Sequence, residues 1–267
     1  MATRDDILVE LGLTPTWRRR DSGGLPAAAV ASVALESAVP KPLALREAGL
    51  RAAPAPVVAQ DATARAPRIA ALSWEEFAGD VDACTACGLC KTRNKSVPGV
   101  GDVKAEWLFV GEAPGAEEDA RGEPFVGQAG RLLDNMLAAL GMARGRNVYI
   151  ANVLKCRPPN NRTPEPSEAE ACRPYLERQV AMIRPKLIVA LGKSAASLLL
   201  GTDATIASLR GRVHRYRGAP LIVTYHPAYL LRNLPDKAKA WEDMLLARRT
   251  VAASPDNSVA DPPPVAR

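Results

Sequence analysis

The residues most able to do chemistry in this sequence are thiols. Residues 82–93 read DACTACGLCKTR, so two residues separate each neighbouring pair among Cys84, Cys87 and Cys90; Cys156 and Cys172 follow, with fifteen residues between them. Five cysteines in a chain expected to sit in a reducing compartment are metal ligands or buried thiols before they are a disulfide framework. A CxxC pair joined by two distant cysteines can supply four thiolates, the donor set of tetrahedral zinc or of an iron–sulfur cluster. Zinc ribbons use two CxxC knuckles, and the second pair here is not a knuckle. The bacterial ferredoxin run requires a fourth cysteine shortly after the third, where this chain has Lys-Thr-Arg-Asn after Cys90. Spacing alone leaves zinc and a four-iron cluster both open.

A second concentration of chemistry lies in GEAPGAEEDARGEPFVGQAG, residues 111–130. Its glycines permit a tight turn and close approach of a ligand to backbone. No Gly-Lys-Ser/Thr follows, so it is not a Walker loop, and it lacks the dinucleotide fingerprint GxGxxG. Glu112, Glu117, Glu118 and Asp119 crowd this loop; Glu117 is expected to be surface charge. Three isolated residues complete the set. Phe125 is one of three phenylalanines and sits in a polar, glycine-flanked loop; Asn152 ends an apolar run; His226 is one of two histidines and precedes Pro227. The other, His214, lies in the polar stretch GRVHRYRG and reads as a solvated or core-edge residue. Each of these residues has an ordinary structural reading: a loop phenylalanine packs, an asparagine caps a strand end, and a lone histidine fills a core.

The elements that must hold these residues alternate. Residues 106–110 (EWLFV), 148–153, 186–191 (KLIVAL) and 221–224 are short apolar strands. Helical spacing covers 128–140, with Leu132, Leu133, Met136 and Leu140 on one face, and also 167–183, 194–200 and 237–249. Ser73 followed by Glu76 is a capping box opening a short helix. Alternation of this kind predicts an α/β fold, a three-layer α/β/α sandwich around a mainly parallel four-stranded sheet. Ligands of such sheets bind beyond the carboxyl ends of the strands. The polar clusters at 111–119, 152–162 and 226–232 all fall at such ends.

Residues 1–20 group Ile7, Leu8, Leu11 and Leu13 ahead of Thr14-Pro15, as a short amphipathic segment would. Residues 21–71 are rich in Ala, Pro and Val without a sustained period, which predicts a disordered linker. The folded domain is expected over 72–250 and a disordered tail over 251–267. With 267 residues and 47% hydrophobic content the chain can bury one sizeable core. A formal charge of +6 and a pI near 9.2 favour a polyanionic partner such as nucleic acid. No apolar run reaches the roughly 18 residues that would suggest a membrane span, and acidic residues stand where a secretory signal is basic. A cytoplasmic protein is expected.

GEAPG, EPFVGQAGRLLD, YIANVLKCRPPNNRTP and HPAYLLR occur in this order with the four spaced cysteines, and together they resemble the family 4 uracil-DNA glycosylases. The resemblance runs from about residue 82 to residue 249. It implies a uracil-DNA glycosylase-like fold and a monofunctional repair hydrolase, expected to be a monomer, that removes uracil from double- or single-stranded DNA. It further implies a [4Fe–4S] cluster on Cys84, Cys87, Cys156 and Cys172, with Cys90 left as a bystander. Phe125 becomes the stacking platform, Asn152 the reader of the uracil edge, and His226 the donor to uracil O2. Ala113 fills the slot in which family 1 uracil glycosylases carry a catalytic aspartate, so Glu112 and Glu118 are the candidates for shaping the pocket and positioning water. Gly115 lines the same loop. Tyr229, Leu230, Leu231 and Arg232 form the expected wedge, while Lys155, Arg157, Asn161 and Arg162 are expected to meet phosphates. Related proteins that trap uracil without turnover carry a basic insertion with histidine, where this chain reads PPNNRTPEP. Residues 1–20 loosely resemble the N-terminal peptide of the clamp-loader psi subunit, which implies a replisome contact.

Overall fold

The computed structural model describes residues 62–253; the expected partner peptide 1–20, most of the linker and the tail from 254 onward lie outside them. The helices are α1 (Ala62–Ala70), α2 (Trp74–Asp82), α3 (Ala116–Arg121), α4 (Gln128–Ala139), α5 (Pro166–Ile183), α6 (Lys193–Leu200), α7 (Ile206–Leu209), α8 (Pro227–Leu230) and α9 (Asp236–Ala253). The strands are β1 (Val100–Gly101), β2 (Trp107–Gly111), β3 (Val148–Asn152), β4 (Leu187–Leu191), β5 (Val213–Tyr216) and β6 (Ala219–Thr224).

The sheet has the order β1-β3-β2-β4-β6-β5. β3, β2, β4 and β6 pair in parallel, and the two edges are antiparallel. The four expected strands therefore form the centre, but the sheet has six strands rather than four. β1 is only two residues long, too short to carry a period. β5 alternates exposed and half-buried residues, so VHRY at the sheet edge looks like a solvated loop in sequence. His214 sits on this strand with Nε2 2.7 Å from the Leu209 carbonyl oxygen, a core-edge role.

Every residue of β2, β3 and β4 is buried, as strands covered on both faces must be. Alternate side chains divide between two cores. Leu108, Val110, Tyr149, Ala151, Ile188 and Ala190 pack with Phe77, Tyr175 and Leu176. Trp107, Phe109, Ile150 and Val189 pack on the other face with Leu133, Leu137, Met244 and Ala247. Helices cover both faces, giving the expected three layers.

Local signals explain the helix starts. The Ser73 side chain accepts from Glu76 N–H at 3.4 Å while Glu76 accepts from Ser73 N–H at 2.9 Å, the reciprocal capping box. α5 begins at Pro166, one residue before its expected start, with Glu168 accepting from Glu165 N–H at 2.9 Å. Proline suits the first helical turn because it has no N–H to leave unpaired. Part of the expected linker is also ordered. α1 buries Ile69 completely, and Arg65 donates to the Ala171 carbonyl at 2.7 Å while its guanidinium lies 5.1 Å from the Tyr175 ring centroid. A nine-residue helix containing Pro67 is too short to be stable alone, so these contacts, rather than propensity, hold it in place. α9 likewise continues through Ala253, beyond the expected boundary at 250. No helix among the described residues is long and apolar enough to cross a membrane.

If α1 is part of the domain, Ile69→Ala will lower stability by ~2–5 kcal/mol, the usual cost of emptying a buried aliphatic site. Denaturant titration checks this; an unchanged midpoint would return α1 to the linker.

Candidate active site and cysteine centre

A cavity of about 580 Å³ opens at the carboxyl ends of β2, β3, β4 and β6, where a parallel sheet presents its ligand site. It gathers Glu112, Ala113, Gly115, Glu118, Phe125, Asn152, Asn161, His226, Tyr229 and Arg232 from the sequence-derived set.

Phe125 is held in an unusual way. Its backbone has φ of 55°, the left-handed region that a bulky residue adopts only when its surroundings impose it. Arg144 donates to the carbonyls of Pro124 at 2.7 Å and Phe125 at 2.8 Å, and is itself oriented by Asp134 at 3.0–3.1 Å. A Cβ on Gly130 would stand 1.7 Å from the Phe125 carbonyl oxygen, so α4 can pass here only as glycine. The Phe125 ring lies 5.5 Å from the His226 ring with 28° between their planes.

Glu118 has a definite occupation. One carboxylate oxygen accepts from Gly115 N–H at 3.1 Å; the other accepts from Val126 N–H at 2.9 Å and Gly127 N–H at 3.3 Å. It staples the start of α3 to the Phe125 loop. Asp119 performs a similar task, accepting from the backbone and side chain of Asn94 at 2.9 and 2.5 Å. Glu117 is exposed, as expected. Glu112 is the acid left facing the cavity. Burial raises its pKa, partly offset by the Ser194 hydroxyl.

Asn152 ends β3 opposite Gly111 of β2 and is 2% exposed. Its amide Oδ1 is buried and has no hydrogen-bond partner. Nearly all buried polar atoms in folded proteins are paired, so such an atom beside a cavity is open to a donor from a ligand or from water held there. A Cβ on Gly111 would meet Oδ1 at 2.4 Å and the Phe125 ring at 2.6 Å. The glycine thus allows the amide and the ring to occupy adjacent space.

His226 caps α8, with its Nδ1 accepting from Ala228 N–H at 3.1 Å. The proton of the neutral ring therefore sits on Nε2. Burial, reinforced by Arg232 and opposed by Glu118, lowers its pKa to about 4. The loop after it is braced from outside. Arg210 pairs with buried Asp243 at 3.0 Å and lies 5.7 Å from the Tyr225 ring centroid; Tyr225 stacks on Tyr229 at 5.1 Å; the Tyr229 hydroxyl donates to Asp236 at 2.6 Å.

Several expected roles change. Leu230 is 1% exposed and belongs to the core, whereas Leu231 is 41% exposed outside the cavity; of the two leucines, only Leu231 can act as a wedge. Lys155 is fully buried, donating to the Asn152 carbonyl at 2.7 Å and Gln179 Oε1 at 2.5 Å, and cannot reach a phosphate. Burial lowers its pKa to about 8 against the opposing influence of Cys172 and Cys156. Arg162 lines the cavity but is paired with Glu168 at 2.6 and 2.9 Å. Arg157 lies beside the cavity rather than in its wall, donating to Asn161 Oδ1 at 2.7 Å. The β4–α6 corner, Leu191–Ser194, also lines the cavity. Its only signal in the sequence is an apolar strand closed by glycine at Gly192, which does not by itself mark a site.

Cys84, Cys87, Cys156 and Cys172 line a second, smaller void together with Cys90. Arg93 donates to Cys156 Sγ at 2.8 Å, Arg65 to Cys84 Sγ at 3.4 Å, and Lys155 N–H to Cys172 Sγ at 3.2 Å. Donors aimed at sulfur favour thiolate, yet burial raises the pKa of Cys87, Cys156 and Cys172, the last to about 12. These thiols would ionise by giving their protons up to a metal. Among the described residues, no three His, Cys, Asp or Glu side chains are gathered as a single ion would need. The five thiols around this void are a donor set that suits a thiolate-bound metal group.

A doubly covered parallel sheet with a polar cavity at its strand ends and a thiol centre beside it defines an α/β protein built to bind a small polar group. The chain belongs to the uracil-DNA glycosylase superfamily: the family model described as Uracil DNA glycosylase superfamily matches residues 98–245. Within it, this is a member of the type-4 group. The type-4 uracil-DNA glycosylase of Archaeoglobus fulgidus is 48% identical over 167 residues, covering 60% of this chain and 83% of that protein. That of Sulfurisphaera tokodaii is 44% identical over 198 residues, covering 71% and 89%. That of Thermotoga maritima is 48% identical over 155 residues, covering 57% and 80%.

The Arg144 clamp makes a direct prediction. Arg144→Ala leaves two carbonyls without their donors and will cost ~1–3 kcal/mol of stability, read from denaturant unfolding. No loss would mean that the left-handed Phe125 is held by its packing alone.

Proposed function

We propose that this protein is a uracil-DNA glycosylase that takes a flipped uracil into the cavity and hydrolyses its N-glycosidic bond, leaving an abasic site for base excision repair. The observation carrying this reading is the buried, unpaired Oδ1 of Asn152 beside Phe125 and His226. Uracil offers a donor at N3–H and acceptors at O2 and O4. Asn152 Oδ1 accepts from N3–H, its amide nitrogen donates to O4, and cytosine presents the opposite pattern. The wrong base then leaves a buried group unpaired, which is how such a site discriminates.

Bond cleavage puts positive charge on the sugar and negative charge on the departing base. The Nε2–H of neutral His226 donates to O2 as charge gathers there. Glu112, with Ser194 at its side, holds water for the sugar carbon and offsets the developing cation. Glu118, committed to three backbone amides, shapes the loop that bounds the base. The base must leave the stack to reach this cavity, and exposed Leu231 with Arg232 is the surface that would fill its place. Arg157 and Asn161 are the remaining candidates for phosphate contact.

The four thiols Cys84, Cys87, Cys156 and Cys172 would hold a [4Fe–4S] cluster. When bound, that group supplies thiolate bonds joining the segment after α2, the loop after β3 and the start of α5. Cys90, although it lines the same void, is the thiol left over. Cys90→Ser is therefore expected to retain iron content and the absorbance near 400 nm, whereas Cys172→Ser loses both. Bleaching by Cys90→Ser would mean that the ligand set is misassigned.

The reading is tested by converting an oligonucleotide with one uracil into an abasic product; wild-type protein that leaves it intact would refute it. His226→Ala is expected to slow excision on the order of 100- to 1,000-fold, and wild-type rate in that variant would remove His226 from the site. Acid sensitivity has a defined sign. An unfolded histidine titrates near 6.5 and the folded His226 near 4. Between those values the unfolded chain binds more protons, so His226 costs stability as the pH falls through this window and costs nothing above it. His226→Gln will flatten the loss between pH 6.5 and 4, measured by denaturant midpoints.

A further inference from the structure

We propose that Lys155 is a positioning residue that ties the base-reading end of β3 to the cysteine centre; the inference rests on the uracil-excision reading of the cavity. Lys155 is one residue before Cys156 and three after Asn152, and it is 1% exposed. Its side chain turns back along the chain, so Nζ donates to the Asn152 main-chain carbonyl at 2.7 Å and to Gln179 Oε1 at 2.5 Å. Its own backbone is held at both ends. Lys155 N–H points at Cys172 Sγ at 3.2 Å, and its carbonyl accepts from Val97 N–H at 2.8 Å.

Gln179 completes the bridge. It lies on α5, two turns beyond Cys172, and is fully buried. Its Nε2 donates to the Pro98 carbonyl at 2.8 Å and contacts the Tyr149 hydroxyl at 3.2 Å. One buried ammonium thus joins the last residue of β3, the helix carrying one cysteine and the loop carrying another.

The position of this bridge gives it a specific consequence. Asn152 is the last residue of β3 in register with β2, and the peptide that follows it is held from two sides: Val153 N–H donates to the Gly111 carbonyl at 2.9 Å, and Lys155 donates to the Asn152 carbonyl at 2.7 Å. The peptide plane sets the direction of the Cα–Cβ bond, and so the aim of the amide whose Oδ1 stands unpaired at the cavity. A side chain of similar length without a charge would leave both the Asn152 carbonyl and Gln179 Oε1 without their donor. Only the Val153 N–H bond to Gly111 would then hold that peptide; its tilt would loosen, the amide would sample more directions, and the uracil edge would lose a fixed reader while the thiols kept their places. Lys155 touches no substrate. It acts through Asn152, so its removal should erase base preference more than general DNA affinity.

The test uses Lys155→Met and Gln179→Met in the full-length, iron-loaded protein. Iron content and thermal midpoint report structure. Affinity for an oligonucleotide bearing one non-cleavable 2′-fluoro-2′-deoxyuridine, divided by affinity for the same oligonucleotide with thymidine, reports base reading. Lys155→Met is expected to keep its iron and lower that ratio tenfold or more, with affinity for the thymidine oligonucleotide unchanged. Gln179→Met, which frees Lys155 from α5 but leaves its bond to Asn152, should lower the ratio by a smaller factor. A Lys155→Met protein with full iron and a ratio within twofold of wild type overturns the proposal. If Lys155→Met loses iron, Gln179→Met decides: an unchanged ratio overturns the proposal and a lowered one supports it. Wild-type protein that neither prefers nor excises uracil would instead sink the underlying reading.

Discussion

One buried atom organises the functional half of this molecule. Asn152 Oδ1 has been taken from water without receiving a donor, at a cost that folding would ordinarily avoid. Much of what surrounds it keeps that atom open and directed. Gly111 has no side chain because any would strike the amide and the Phe125 ring. Phe125 holds a left-handed backbone beside it, with Arg144 and Gly130 making that conformation possible. Lys155 holds the carbonyl of the same asparagine from behind. An apolar residue at 152 would make a more comfortable strand end and remove an acceptor that the proposed reading matches to an imide N–H.

Charged side chains in this protein serve backbone atoms as much as ligands. Glu118 accepts from three amides, Arg144 donates to two carbonyls, and Asp119 accepts from Asn94. Loops at the strand ends lack a ladder to pair their polar groups, so buried or half-buried charges do this work. The consequence is preorganisation: cavity walls are fixed before any ligand arrives, and binding energy is not spent ordering them. Arg210, Asp243, Tyr225 and Tyr229 extend the same principle to the segment following His226.

Central strands, doubly buried and continuously apolar, were legible because their pattern depends only on hydrophobic burial. So was the location of the cavity, since polar clusters at 111–119, 152–162 and 226–232 all fell at carboxyl strand ends. Edge elements were not. β1 is too short for periodicity, and β5 alternates exposure with arginine and histidine. α1 hid in an Ala/Pro-rich stretch because its stability comes from Ile69 and Arg65 meeting α5, contacts a hundred residues distant in sequence. Roles were harder to read than positions. Glu118, Lys155 and Arg162 have residue types equally suited to catalysis, phosphate contact or bracing. Only their partners, which sequence spacing does not reveal, distinguish these uses.

The central claim is that Asn152 Oδ1 receives the N3–H of uracil. Single-turnover excision of uracil and of N3-methyluracil from one oligonucleotide sequence, by wild type and by Asn152→Ala, tests it most directly. Methylation removes the donor and leaves O2 and O4 in place. The account predicts that wild type excises N3-methyluracil on the order of 100-fold more slowly than uracil, and that this difference largely disappears in Asn152→Ala. Equal excision of the two bases by wild type, or a preference that survives loss of Asn152, would contradict it.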